Sequence, residues 1–333
     1  MKNKRICPEW VIRVSSELEV GAGHIMRCLS IAKALEDKLH MVHFIIDSNT
    51  LKWKKYLTDC GISNSFVNEV EFIDCEFFGC IIDGYQFNQS DYKHWKMRCK
   101  HLVVIDDYGD APDYSSVIIS PSLQSHPLSK KPIKILLGSS YALLSQEYAI
   151  NRIKKYNSSR VKTVLVSCGI RDGNNYNALS LKLLQQVKYQ GSAIVAVGPD
   201  APHIKTLKDK LSEYDFHTKI VTSADGLYEI LKNVDLVIGS GGVSLLERMS
   251  LGIPSLTFIT ADNQTTQVLM AEAIGGTVSA RLDDKLGSSE VLIVLDDLLN
   301  NKKYRDSMSK NAKNYIDGQG VWRVVNELVT LPV

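Results

Sequence analysis

The chain of 333 residues has no apolar run approaching the roughly 18 residues that cross a bilayer as a helix. It has no excess of one charge either: 39 Lys and Arg stand against 37 Asp and Glu, a formal net charge of +2. No stable membrane insertion and no nucleic-acid partner are therefore expected, since neither an apolar span nor a chain-wide basic footprint is present. Met1 to Glu9 lacks the hydrophobic segment of a signal peptide, so the expected location is cytoplasmic. The cysteines, at 7, 28, 60, 75, 80, 99 and 168, are odd in number and form no Cys-x-x-Cys pair. Reduced, partly buried thiols fit this pattern better than a disulfide framework or a zinc site. Neither a metal nor a cofactor is expected.

What is present suits an enzyme of ordinary size. A 44% hydrophobic content over this length supports substantial cores and about two domains. Short aliphatic runs alternate with longer helical stretches, which points to α/β architecture with mostly parallel sheets. Strands are expected at 10–14, 41–46, 80–82, 102–105 and 117–119, then at 163–167, 193–197, 219–221, 236–238 and 254–258. The Pro-, Ser- and Lys-rich stretch from Pro127 to Lys134 precedes an interdomain connection, giving domains at 1–150 and 151–333. The cleft separating two such domains is the natural ligand site.

The strongest local signal is Val20-Gly21-Ala22-Gly23-His24-Ile25-Met26-Arg27, which follows the strand Trp10–Val14. It reads as strand, tight loop and helix, with Gly21 and Gly23 shaping a turn and His24 in the first helical turn. The positive end of the helix dipole favours a neutral imidazole there, able to accept a proton. A capping or core imidazole is the plain alternative. Arg13 and Arg27 are candidates for electrostatic assistance at an anionic ligand, against ordinary pairing within the protein.

A second, independent signal lies in the other half. Asp235-Leu236-Val237-Ile238 leads through Gly239-Ser240-Gly241-Gly242 into a helix carrying Glu247 and Arg248. Glycines before a helix leave backbone N–H groups near its N-terminus, where phosphate oxygens can be held. The spacing matches neither the dinucleotide-binding fingerprint nor a P-loop. Glu247 suits two sugar hydroxyls, or else is an ordinary helix carboxylate paired with Arg248 or solvent.

Other candidates divide in the same way. Asp83 and Tyr85 follow the strand Cys80–Ile82 and flank Gly84, either at a ligand-facing strand mouth or in a structural turn. Asp106-Asp107 closes another strand as an acid–base pair or as a turn and cap. Tyr141, after Gly138-Ser139-Ser140, either lines a sugar cleft or packs on Leu143 and Leu144. Lys52, Lys54 and Lys55 around Trp53 and Tyr56 read as a solvated helix face with two buried aromatics, and Val321-Trp322 with Val324-Val325 reads as packing.

Taken together, Ile12–Ser15, Gly21–His24 with Arg27, Ile82–Tyr85, Leu137–Leu144, Ser240–Gly242 with Glu247, and Asp262-Asn263-Gln264 resemble the nucleotide-sugar hydrolases of pseudaminic acid biosynthesis. The match extends over approximately residues 10–275. The resemblance implies two Rossmann-like domains of the glycosyltransferase-B type. It also implies metal-independent cleavage of the anomeric C1–O bond of a UDP-linked 2,4-diacetamido-2,4,6-trideoxyhexose, with inversion. His24 would activate the water. Ser240, Gly241, Gly242 and Glu247 would hold diphosphate and ribose, with Asn263 and Gln264 on the phosphate or sugar side. The chain departs from the family pattern where Ser15 replaces an aspartate, where Gly84 replaces the histidine of Asp-His-Tyr, and at Cys168-Gly169-Ile170-Arg171-Asp172.

The expected partners are thus a UDP-linked amino sugar and water. A glycosyltransferase using the same donor and a non-catalytic nucleotide-sugar-binding module are the alternatives.

Overall fold

The computed structural model describes residues 6–15, 23–46, 51–62, 65–67, 76–122, 134–150, 152, 159–222, 226–281 and 289–332. Two compact units emerge. The first comprises Met1–Gln146 together with Gly318–Val333, and the second comprises Glu147–Asp317.

In the first unit the strands are β1 (Ile6–Val14), β2 (Met41–Ile46), β3 (Ser65–Val67), β4 (Glu76–Asp83), β5 (Cys99–Ile105), β6 (Val117–Ser120) and β7 (Lys134–Leu137). They form one parallel sheet in the order β3-β2-β1-β4-β5-β6-β7. Its helices are α1 (Gly23–Glu36), α2 (Leu51–Asp59) and α3 (Gln89–Lys96). The central strand β4 is buried from Phe77 to Asp83, as expected of a strand covered on both faces. One core joins α1 to Trp10, Ile12, Phe44 and Ile81, and the other joins Tyr92 and Trp95 of α3 to Val11, Cys80 and Val104. Gly79 is required by this packing, since a Cβ there would lie 2.2 Å from the Trp10 ring.

The second unit begins with the one-turn helix α4 (Glu147–Ile150). Its strands are β8 (Thr163–Ser167), β9 (Ser192–Ala196), β10 (His217–Val221), β11 (Leu236–Ser240), β12 (Ser255–Ile259) and β13 (Val278–Arg281). Their parallel order is β10-β9-β8-β11-β12-β13. The helices that follow α4 here are α5 (Tyr176–Gln186), α6 (Ile204–Asp209), α7 (Tyr228–Leu231), α8 (Val243–Leu251), α9 (Thr265–Ala273), α10 (Ser289–Asn300) and α11 (Lys302–Tyr315). In each sheet the strand order reverses beside the first strand of the unit. Ligands of open α/β sheets gather outside the carboxyl ends of the strands at such a reversal.

The last helix, α12 (Gly320–Val329), packs on the first unit. Val321, Val324, Val325 and Leu328 are fully buried in the core that contains α1. The sequence-based division places this segment within the domain at 151–333, because an apolar helical face does not name its partner. Three short strands, β3, β7 and β13, have no counterpart among the strands expected from the sequence. None of these is long enough to establish a period.

Candidate functional site

The carboxyl end of the first sheet carries a buried cluster of charged residues. The register aligns Val14 with Asp83, and the Ser15 N–H donates to the Asp83 carbonyl at 2.7 Å. His24 enters as the second residue of α1, directly above this strand pair. Its Nδ1 lies 2.6 Å from Asp83 Oδ1, and both side chains are buried, Asp83 completely.

Arg27 stands one turn further along α1 and reaches two carboxylates. Its Nε and Nη2 donate to Asp83 Oδ2 and Oδ1 at 2.6 and 2.5 Å. Its Nη1 donates to Asp107 at 2.9 and 3.2 Å. Burial by itself pushes the Asp83 carboxyl up, but the Arg27 guanidinium and the His24 ring overcome that and hold it well below the usual carboxylate range. Burial likewise opposes charge on Arg27, yet Asp107 and Asp83 stabilise it further above its ordinary value. Asp83 is thus an ionised, acceptor-only group. Nδ1 of His24 must carry the proton that bridges them, which leaves the lone pair of the neutral ring on Nε2. The 3.1 Å approach of Arg27 Nη2 to Nδ1 is an electrostatic contact through the shared carboxylate rather than a hydrogen bond.

Two further groups complete the cluster. The Cys28 thiol donates to Asp83 Oδ2 at 3.4 Å, and burial followed by the Asp83 charge raises its pKa well above the ordinary thiol value. The Tyr85 hydroxyl donates to Asp107 Oδ2 at 2.9 Å, and its ring meets the His24 ring edge to face at a centroid distance of 4.6 Å. Asp106 and Asp107, adjacent in sequence, have different jobs. Asp106 is buried and accepts the backbone N–H groups of Tyr108, Gly109 and Ala111 at 2.8–3.0 Å, whereas Asp107 joins Arg27 and Tyr85.

The remaining candidates of this unit lie apart from that network. Arg13 donates to the carbonyls of Val14 and Ile45 and stacks over the Phe87 ring at 4.9 Å. Arg27, by contrast, belongs to the network, its guanidinium directed at Asp83 and Asp107. Tyr141 packs against the first core. Gly23 opens α1, while Gly21 lies outside the described residues. Trp53 and Tyr56 pack on the core, as read from the sequence.

In the second unit, β11 ends in Ser240 and Gly242 caps α8. The loop is braced from the segment that follows β12. Gln264 Oε1 accepts the Gly241 N–H at 3.1 Å, and Gln267 Nε2 donates to the carbonyls of Gly241 and Gly242 at 2.7 and 3.1 Å. A Cβ on Gly241 would lie 2.1 Å from Val268. The Gly241 N–H therefore has a protein partner, and Gln264 acts as a brace for the loop. Asn263 sits beside Gln264 in the short turn Asp262–Gln264. Arg248, buried, reaches back to the Ser240 carbonyl and the Thr257 hydroxyl at 3.1 and 2.8 Å, and burial lowers its pKa to about 9. Burial raises the Glu247 carboxyl to about 7, an effect that the facing Tyr148 hydroxyl and Arg248 counter only in part.

Asp172 in the loop after β8 accepts the N–H groups of Tyr176 and Asn177 and so fixes the start of α5, while burial raises it to about 6. The Cys168 thiol is buried nearby. Among the described residues no group of three or more His, Cys, Asp or Glu is arranged to hold a metal ion, and no helix is long and apolar enough to cross a membrane.

The sequence offers Asp106-Asp107 as an acid–base pair or as a turn and cap, and nothing local separates the role of Asp107 from that of Asp106.

No family model matches the chain. An uncharacterized protein of Methanocaldococcus jannaschii is 24% identical over 264 residues, covering 73% of this chain and 54% of its own length. A UDP-N-acetylglucosamine–N-acetylmuramyl-(pentapeptide) pyrophosphoryl-undecaprenol N-acetylglucosamine transferase of Pediococcus pentosaceus is 29% identical, covering 46% of this chain and 44% of its own length. The spore coat polysaccharide biosynthesis protein SpsG of Bacillus subtilis is 20% identical, with 65% of each chain covered. The matches thus span about half to two thirds of these relatives. Among solved structures, MurG of Acinetobacter baumannii superimposes with a TM-score of 0.70 at 13% identity, covering 97% of this chain and all of that one. The UDP-GlcNAc 2-epimerase of Neisseria meningitidis, solved with UDP-GlcNAc bound, gives 0.61 at 14% identity, over 97% of this chain and all of that one. With its two parallel sheets, the chain has a glycosyltransferase-B-like α/β fold.

Proposed function

We propose that this protein is an enzyme acting at C1 of a UDP-linked amino sugar, with His24 as general base and water as the attacking nucleophile. The observation that carries this reading is the buried His24–Asp83 pair at the carboxyl end of the first sheet. An ionised aspartate fixing Nδ1–H presents Nε2 as proton acceptor, the arrangement that general-base catalysis needs. Nε2 would take a proton from water as the water oxygen bonds to C1. The C1–O bond would break with its electron pair going to the departing UDP, inverting the anomeric centre. The second-unit loop at Ser240–Gly242 would carry the diphosphate, with Glu247 at the ribose and Asn263 and Gln264 beside the phosphate side. Support for a UDP-sugar comes from the relatives named as N-acetylglucosamine transferases and from the UDP-GlcNAc bound in the Neisseria epimerase. The family resemblance at Gly23-His24 and Ser240–Gly242 favours a diacetamido-trideoxyhexose and water.

Transfer to another sugar is the second reading, favoured by the transferase names of those relatives. Reaction in 18O-labelled water separates the two. Label in the released sugar supports hydrolysis with C1–O cleavage, label in UDP overturns attack at C1, and turnover only with an added acceptor assigns a transferase.

A further inference from the structure

The turn after β5 holds an aromatic side chain in solvent beside the buried charge cluster. Asp106 accepts three backbone N–H groups, those of Tyr108, Gly109 and Ala111, and so fixes the turn from inside. Gly109 has a φ of 86°, which lets the chain reverse there. The outcome is that Tyr108 is 57% exposed on a turn that is not free to fold it inward. Its ring meets that of Tyr85 edge to face, with centroids 5.1 Å apart, and Tyr85 is itself 40% exposed. Tyr85 is held from two sides, by its hydrogen bond to Asp107 and by its contact with the His24 ring.

Two exposed rings fixed at an angle, next to a buried histidine–carboxylate pair, form an aromatic corner with a polar back wall. Two aromatic rings exposed side by side on a braced turn offer a stacking surface to a ligand. A pyranose suits this corner: its axial C–H groups can pack against the electron-rich faces of the tyrosine rings, and its hydroxyls can donate to the tyrosine hydroxyl oxygens. With Tyr85 read as part of the ligand-facing strand mouth, we propose that Tyr108 adds a specificity-determining contact to the hexose presented to His24. This rests on the UDP-sugar reading above.

Ligand-observed saturation-transfer NMR on the full chain, with UDP-N-acetylglucosamine as probe, tests it. Irradiating protein aromatic protons in the wild type should saturate the hexose ring protons as well as the uracil protons. Tyr108→Ala should weaken the hexose signal about fivefold, the loss expected for one stacking contact, while the uracil signal stays. Tyr108→Phe, which keeps the ring, should restore it. Unchanged hexose saturation in Tyr108→Ala, or a wild type that saturates only uracil, overturns the subsite and leaves the nucleotide reading in place. Absence of saturation on every probe proton at millimolar concentration overturns both.

Discussion

Nδ1 of His24 and Oδ1 of Asp83 stand 2.6 Å apart, although 59 residues separate them in the chain. The carboxylate fixes which ring nitrogen carries the proton, and Arg27 fixes the carboxylate. If this pair performs the proposed chemistry, each link has a measurable consequence.

Asp83→Asn keeps the shape and removes the charge. An asparagine amide can donate to Nδ1 and so reverse the tautomer, placing the lone pair away from Nε2. UDP release should fall by roughly 10²–10⁴, in the range of general-base contributions, with UDP binding by titration calorimetry unchanged. Turnover within threefold of wild type would assign Asp83 a structural part only. His24→Ala should match that loss, with UDP binding again unchanged by titration calorimetry.

Arg27→Met removes the cation that holds the buried Asp83 and the part-buried Asp107. Breaking a buried ion pair on one side costs about 3–5 kcal/mol, so urea denaturation should show a large loss of stability. Asp83 should then titrate closer to the ordinary range. Its carboxylate pKa is depressed in the folded protein, so its stabilising share is present above the unfolded value near 4 and is lost as pH falls below it. In the variant this acid-side slope should flatten. A stability curve below pH 4 unchanged by the substitution would contradict the assignment.

Glu247 and Asp172 act with the opposite sign. Burial raises them to about 7 and about 6, so the folded state holds protons that the unfolded chain has released. Stability should therefore decline as pH rises from about 4 toward 7, by on the order of 2 kcal/mol for Glu247. Glu247→Gln should remove most of that decline in urea melts compared at pH 5 and 7.5. An identical slope in wild type and variant would mean that Glu247 is ionised throughout.

Gly241→Ala places a methyl group 2.1 Å from Val268 and displaces the loop from its braces on Gln264 and Gln267. UDP affinity should drop about tenfold or more by calorimetry, with the first unit untouched. Undiminished affinity would move the nucleotide away from this loop.

Leu328→Ala tests the return of the C-terminal helix. Leu328 is fully buried with Val324 and Val325 against the core that carries α1, so truncation should cost about 2–5 kcal/mol. The measurement is a urea transition of the first unit. A cost under 0.5 kcal/mol would place the helix elsewhere in solution.

The sequence by itself determined the features that repeat over a few residues. Aliphatic runs announced the main strands, and glycines before a helix announced the start of α1 at Gly23-His24 and the turn at Gly241-Gly242, because strand burial and turn geometry are written in neighbouring residues. The reversal of strand order beside β1 and β8 is not written there, nor is the return of α12 to the first unit, since an apolar face is the same whichever core it joins. The partnership of Arg27 with Asp83 and Asp107 likewise came only from the tertiary structure. The parallel sheet brings the ends of β1, β4 and β5 side by side, placing residues 56 and 80 positions away within reach of one guanidinium. That placement decided that Asp106 ties a turn and Asp107 joins the charge cluster, a distinction between adjacent identical residues that depends on which way alternate side chains leave the end of a strand.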